Sequence, residues 1–297
     1  GSFSGYCLIK RFFPLFFSVS SQKSLSGEDI VLPVWYITIP ASFILGTLII
    51  TTVAYFSTWI FAYFFDADNP LLYGNIFTMI LFAFIVFYSF YPKIKPTRKK
   101  NKRAISKKHR ISIWDFCITH SFELGILLIF SLFWGFFFFR SFNIDQDMIN
   151  ISYAVHSDFG AHLASIRSFS LGSNFPTQYP HFAGELAGYN NIRYHFFFMF
   201  LSGNLEFLGM RLDWALNLPS LLAIISFIML LYSFTSLLIG KRIVSLITLL
   251  LFTFISSFAF FIYIANKISE NGNFDTVISK IIFVFQKIIH TGQEPFQ

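Results

Sequence analysis

The chain has 297 residues, of which 55% are hydrophobic and only 12% charged, and its mean hydropathy is +0.62. Charged residues make up about a quarter of a soluble domain, so this composition excludes that class and indicates a polytopic membrane protein. The net charge of +7 does not by itself indicate nucleic-acid binding, because ten of the 22 basic residues lie between Lys93 and Arg110, beside an apolar segment.

Two uncharged apolar segments near the N-terminus predict a transmembrane hairpin. Residues 34–64 and 71–91 are each long enough to cross a bilayer core, which takes roughly 20 residues, and the polar turn 66–70 separates them. Residues 93–110 then carry ten Lys or Arg and no acid. Short basic loops resist translocation, so we predict that this loop is cytoplasmic. The alternative is a nucleic-acid patch, and we expect no nucleic-acid partner.

Three further apolar segments predict transmembrane helices in the second half. Residues 112–139 start at the basic loop, so they must deliver residues 140–193 to the extracytoplasmic side. Residues 214–239 and 243–265 are two more predicted spans, and the turn Gly240-Lys241-Arg242 divides them. By the positive-inside rule this turn is cytoplasmic.

Residues 194–210 leave two alternatives open, because the segment is apolar but has only 17 residues and includes Glu206. If it spans the membrane, Lys241 and Arg242 fall on the outer side, against the charge rule. If it lies in the interface or re-enters, they fall on the inner side. We favour the second alternative, although a short tilted helix also fits.

The predicted fold class is all-α: a polytopic helical membrane protein of the cell membrane, with about five or six transmembrane helices. We divide it into an N-terminal segment, 1–111, with the hairpin and the basic loop, and a membrane module, 112–297, with the extracytoplasmic loop 140–193. The chain begins with Gly-Ser and stops at Gln297 without an obvious ending, so we expect it to be part of a longer protein.

The loop 140–193 concentrates ionisable side chains, and its clearest pattern begins at Ser157. Ser157 is a suitable helix N-cap, and Asp158 would lie in the first turn, where the helix dipole favours an anion. On a helical period Asp158 and His162 share one stripe. The adjacent stripe is apolar and consists of Phe159, Leu163 and Ile166. The sequence therefore predicts an amphipathic helix over 158–170 along the membrane surface.

A carboxylate beside an imidazole can remove a proton from a hydroxyl or hold a divalent cation. Asp158 and His162 are therefore candidate site residues, and the alternative is that Asp158 only caps the helix and His162 only pairs with it. Asp145 and Asp147, just after the membrane exit, are a second candidate carboxylate site. They would point apart in a helix and to one face in a strand.

Cationic and aromatic residues follow at the predicted membrane interface. Arg193, Tyr194 and His195 lie where an apolar segment begins, and Arg193 could clamp a phosphate bidentately. The alternative is an interfacial anchor. The preceding Pro- and Gly-rich stretch contains His181 and is typical of loops that shape binding sites. Glu206, Arg211 and Asp213 are interpreted as structural pairing at a helix junction.

The stretches SDFGAHLASIRSFSLGSNFPTQYP, from Ser157, and YHFFFMFLSGNLEFLGMRLDWALNLPSLL, from Tyr194, resemble bacterial membrane glycosyltransferases of the GT-C superfamily. The resemblance covers roughly residues 112–265 and concerns the first extracytoplasmic loop and the following helix. In that superfamily the loop has an acidic residue and amphipathic jaw helices. The acidic pair common early in the loop is absent here, and Asp145-Gln-Asp147 and Ser157-Asp158 are the only candidates.

The resemblance implies transfer of a sugar from a polyprenyl-phosphate carrier to an acceptor on the extracytoplasmic face. Asp158 would be the general base, with Asp145 or Asp147 as the next candidates. The other site residues would bind substrate. Arg167 and Arg193 would hold the lipid-linked phosphate, and His162 and His195 would orient groups of the substrate. His181 and Tyr194 would also contact the substrate. The implied partners are the lipid-linked sugar donor and membrane lipids. No cofactor is implied beyond a divalent metal that the carboxylates could hold.

Two other functions remain as alternatives. A transporter would carry ionisable residues and broken helices within its spans, whereas the predicted spans are nearly charge-free, except for Asp115 and Glu123. A non-catalytic membrane scaffold is the second alternative.

Overall fold

The computed structural model describes residues 2–12, 22–23, 29–30, 33–90, 113–146, 148–152, 156–172, 174–175, 177–180 and 196–254. These residues are mostly helical. The helices are α1 (Ser2–Phe12), α2 (Trp35–Phe64), α3 (Pro70–Phe90), α4 (Ile113–Thr119), α5 (Ser121–Ser141), α6 (His156–Ser170), α7 (Phe197–Phe207), α8 (Leu212–Ile239) and α9 (Arg242–Phe254). The strands are β1 (Gln22–Lys23), β2 (Asp29–Ile30), β3 (Phe142–Asp145) and β4 (Met148–Ile151), paired antiparallel as β1–β2 and β3–β4.

Four of these helices are long and apolar enough to cross a membrane: α2, α3 from Pro70 to Tyr88, α5 and α8. Many of their large apolar side chains face outward rather than into the bundle. In water this exposure would be unfavourable, and lipid removes that cost. The chain is therefore a membrane-embedded helical protein. Helix α9 is apolar but has only 13 residues, and the rest of the span predicted at 243–265 lies outside the described residues.

The first turns of α2 and α5 meet the last two turns of α8 at one end of the bundle. There the Tyr36 hydroxyl donates to the Glu123 carbonyl at 3.5 Å, and the Tyr232 hydroxyl donates to the Glu123 carboxylate at 3.3 Å. Arg242, at the start of α9, forms an ion pair with the same carboxylate at 3.2 Å. Helix α5 begins at this end, and the basic segment 93–110 precedes it in the sequence, so we call this the basic end.

At the opposite end, α5 continues into β3 beside the start of α8. The Asn217 side-chain amide donates to the Phe142 carbonyl at 2.7 Å. Because α5 ends where α8 begins, the segment between them does not have to cross the membrane. Helix α7 in that segment has 11 residues, about 16 Å of helix against a core of about 30 Å. This geometry favours the non-spanning alternative for 194–210, and it brings Lys241 to the basic end.

The β3–β4 hairpin is a small strand element in a chain that is otherwise mostly helical, as predicted. Phe142 pairs with Ile151 and Asp145 with Met148, which leaves a two-residue turn. Gln146 in this turn has φ +45°, as the tight turns of two-residue hairpins require. The strands are rich in β-branched Ile, whose side chains favour extended backbone. Asp145 therefore ends a strand instead of lying on an irregular loop.

Helix α6 packs on α7, and it contains the predicted amphipathic helix 158–170. Ile166 is fully buried, and Phe159 and Leu163 pack with it against Phe142 and Leu212. The apolar stripe therefore faces protein. Helix α7 is in turn tied to the first hairpin, because the amides of Asn75 and Asn204 exchange two hydrogen bonds of 2.6 and 2.9 Å. The N-terminal hairpin thus packs directly on the predicted membrane module, 112–297.

Gly203 permits the close approach of α6 and α7, which gives a first prediction. A Cβ at this position would lie 2.6 Å from the Ile166 carbonyl oxygen and 2.9 Å from the Phe169 Cβ. Gly203→Ala should therefore lower the free energy of unfolding by about 1–3 kcal/mol, the usual cost of overpacking. Thermal unfolding of purified protein in detergent measures it. Gly125→Ala is the matched control, because no described atom outside the adjacent backbone of its own helix lies within 4 Å of its Cβ position. Equal stability of the two variants would contradict the close packing.

Candidate functional site

A polar cavity of about 340 Å³ lies beside the β3–β4 hairpin, where α5 ends. Its polar lining residues are Arg140, Asn143, Asp145, Asn150 and Ser152, and Met148 and Ile151 complete it. A cavity of this size is within the range of small-molecule sites. The cavity brings a carboxylate, a guanidinium and two amides together at the end of the apolar helix α5.

Short-range hydrogen bonds fix the polar groups of this cavity. Asn143 donates its amide to the Phe139 carbonyl in the last turn of α5 at 3.2 Å, and it accepts from the Asn150 amide at 3.0 Å. Ser152 donates its backbone N–H to the Ser141 carbonyl at 2.8 Å, which continues the hairpin to the helix. Arg140 lies in the last turn of α5, where the helix dipole favours a cation.

The side chains of this cavity can perform a defined set of tasks. Asp145 can accept a proton from a hydroxyl group, and Arg140 can bind a phosphate through its planar guanidinium. Amides such as those of Asn143 and Asn150 are suited to hydrogen-bonding hydroxyl groups. Among the described residues no three His, Cys, Asp or Glu side chains are grouped as a metal site, and Asp147 lies outside those residues.

Arg211 and Asp213 form a bidentate pair beside the cavity, with two hydrogen bonds of 2.6 Å. The hydrogen bonds to Asp213 raise the pKa of the Arg211 guanidinium, and the charge of Asp145 raises it further. Asp213 is completely buried, and it also accepts from the backbone N–H of Ile144 at 3.2 Å. The predicted structural pairing at this junction thus involves Arg211 and Asp213, whereas Glu206 has a different partner.

Arg167, which the family resemblance implies would bind the lipid-linked phosphate, forms an ion pair with Glu206 at 3.0 Å. The same Glu206 carboxylate accepts a hydrogen bond of 2.6 Å from the Ser170 hydroxyl. These contacts join α6 to α7, so the Arg167 guanidinium has a structural task. The Arg167 side chain as a whole is 44% exposed, and its role in binding substrate stays a prediction.

Asp158 and His162 lie on α6 and are absent from the lining of the cavity. Asp158 is exposed in the first turn of the helix, and His162 is half-buried. The structure therefore does not bring these two residues to Asp145. The predictions for five other residues lie outside the described part of the chain: Asp147, His181, Arg193, Tyr194 and His195.

Sequence reasoning missed Arg140, Asn143, Asn150 and Ser152. A weak signal was present, because polar and apolar residues alternate over 142–145 and over 149–152. Alternation around a two-residue turn is typical of a β-hairpin, and Asn143 and Asn150 would have fallen opposite each other.

Comparison of the chain with protein-family models, curated proteins and solved structures found no match.

Proposed function

We propose that this protein is a membrane glycosyltransferase of GT-C type that uses a polyprenyl-phosphate-linked sugar as donor. One observation carries the proposal: an exposed apolar stripe on α5 leads to the polar cavity. Ile129, Leu132 and Phe136 are 66%, 64% and 59% exposed. Their spacing continues to Arg140 on the same helix face. A polyprenyl chain lying along this stripe in the bilayer would bring its phosphate to the Arg140 guanidinium.

In the proposed reaction an acceptor hydroxyl oxygen attacks the anomeric carbon of the donor sugar. The bond from that carbon to the phosphate oxygen breaks, and polyprenyl phosphate leaves with the electron pair. Asp145 takes the proton of the attacking hydroxyl, and Arg140 neutralises the charge on the leaving phosphate. Asn143 and Asn150 orient sugar hydroxyls. Asp145 replaces Asp158 as the first candidate base, because Asp145 lines the cavity and Asp158 does not.

Transfer assays with a panel of radiolabelled polyprenyl-phosphate hexoses and pentoses test this proposal. Protein in lipid nanodiscs should release label from at least one donor into the aqueous phase, on an acceptor or as free sugar. Arg140→Lys should raise KM for that donor more than it lowers kcat, because the charge remains but the planar fork is lost. A protein that releases no label and binds no undecaprenyl phosphate would refute the proposal.

The proposed site must face the extracytoplasmic side, and thiol labelling tests this. In a background carrying Cys7→Ser and Cys117→Ser, we expect a membrane-impermeant maleimide added to intact cells to label Leu171→Cys and to spare Lys241→Cys. Leu171 is 75% exposed at the end of α6, and Lys241 lies at the basic end. The two variants should react equally once the membrane is opened. The reverse pattern would place the cavity in the cytoplasm.

A transporter remains a second candidate because of Glu123, a fully buried carboxylate within a predicted span. Intramembrane carboxylates often mark ion pathways. However, Glu123 lies in the first turn of α5 and is paired with Arg242. Helices α2 and α8 also continue unbroken for 30 and 28 residues, whereas transporter sites commonly use interrupted helices.

A further inference from the structure

Two side chains of α8 hold the backbone of the strand that carries Asp145. The Asn217 amide donates to the Phe142 carbonyl at 2.7 Å, and the Asp213 carboxylate accepts from the Ile144 N–H at 3.2 Å. Asn217 is 3% exposed and Asp213 is fully buried. Two buried polar side chains are therefore hydrogen-bonded to the backbone of β3.

The spacing of these contacts matches the geometry of both elements. Residues four apart on a helix are separated by about 6 Å along its axis, and alternate residues of a strand by about 6.7 Å. Asp213 and Asn217 can therefore reach Ile144 and Phe142 at the same time. Alternate residues of an antiparallel strand direct their backbone groups to the same edge, so α8 occupies the edge of β3 that faces away from β4.

This double attachment fixes the position of the catalytic candidate. Strand β3 is held by β4 along one edge and by α8 along the other. Asp145 directly follows Ile144 and precedes Gln146 of the tight turn. Asp213 is itself oriented by Arg211 and by the backbone N–H of Trp214 at 3.0 Å. All of the described hydrogen bonds of Asp213 thus lie at the junction of β3 and α8.

We infer that Asp213 and Asn217 are positioning residues that hold β3 so that the Asp145 carboxylate faces the cavity. The inference rests on the proposed function for its catalytic part. A carboxylate at this depth is costly unless it is fully hydrogen-bonded, and here the bonds act on the strand that bears the proposed base. The two residues do not line the cavity, so they act on the reaction only through Asp145.

Amide hydrogen exchange measured by mass spectrometry tests the attachment without any substrate. Asn217→Asp keeps the shape of the side chain but removes the donor to Phe142, and Asp213→Asn removes the charge that Arg211 and Ile144 share. Both should speed exchange in the peptide 142–151 by about tenfold, the equivalent of one hydrogen bond. Ser220→Ala is the control, because among the described residues its hydroxyl bonds to the Leu216 carbonyl of the same helix and to no other group. Unchanged exchange in both variants would overturn the inference.

Transfer kinetics test the positioning role. Displacing the base should lower kcat by about tenfold to a hundredfold, while KM for the donor should stay within about twofold because Arg140 belongs to α5. Faster exchange with normal kcat would mean that the attachment is only structural. A wild-type protein that transfers no sugar would refute the proposed function and the positioning role together, whereas hydrogen exchange alone would still decide whether α8 holds β3.

Discussion

Replacing Arg242 by Gln is expected to lower the free energy of unfolding by about 3 kcal/mol, near the lower end of the range for breaking a buried ion pair. Glu123 is 1% exposed, and Arg242 is its ionic partner. The second carboxylate oxygen of Glu123 is buried and has no hydrogen-bond partner among the described residues. Removing the guanidinium leaves a buried carboxylate without its ionic partner, and the hydrogen bond from the Tyr232 hydroxyl alone does not balance the charge. The lower end applies because the Arg242 side chain is 46% exposed.

This effect is measured by heating the protein in detergent and recording the temperature at which monodisperse protein is lost. Lys241→Gln is the matched control, because it removes an adjacent exposed charge outside the pair. The double variant with Glu123→Gln and Arg242→Gln should recover most of the loss, since no charge then remains buried. If Arg242→Gln unfolds at the same temperature as Lys241→Gln, the ion pair does not stabilise the basic end.

Replacing Asp145 by Asn is expected to lower the rate of sugar transfer by about 10² or more, the usual contribution of a general base. The amide has the size of the carboxylate but cannot take the acceptor proton. Donor binding should change little, because Arg140 supplies the proposed phosphate contact. Initial rates with the donor identified from the panel measure the effect, and thermal unfolding checks that the variant folds.

Asp158→Asn tests which of the two candidate carboxylates of the loop acts as the base. Asp158 is exposed on α6 and outside the cavity, so its variant should keep turnover within about twofold of the wild type. Normal turnover in Asp145→Asn together with loss of turnover in Asp158→Asn would move the base to α6. Normal turnover in both would exclude either carboxylate as the base.

The transmembrane helices could be predicted from the sequence because their signal is local. An apolar, nearly charge-free run of about 20 residues has one stable arrangement in lipid, which is a helix. Helices α2, α3, α5 and α8 accordingly lie where apolar runs predicted them. The apolar stripe of α6 was equally local, since Phe159, Leu163 and Ile166 recur with helical spacing.

The candidate site could not be predicted because its geometry depends on distant contacts. Ile144 meets Asp213, 69 residues later in the chain, and Arg167 meets Glu206 across α6 and α7. No pattern within the loop indicates that Arg167 has an ionic partner or that Asp145 borders a cavity. The hairpin itself was missed because each strand has only four residues, too short for a strong periodic signal.

Photo-crosslinking with a polyprenyl phosphate that carries a photoreactive group at the phosphate end tests the central claim most directly. After irradiation in nanodiscs and proteolysis, the label should lie in peptides covering Phe136 to Ser152, and excess undecaprenyl phosphate should remove it. Arg140→Gln should weaken the labelling while the α5 peptide itself is still recovered. Label concentrated on α6 around Asp158, or labelling that excess undecaprenyl phosphate does not reduce, would contradict the assignment of the cavity at Asp145 as the donor site.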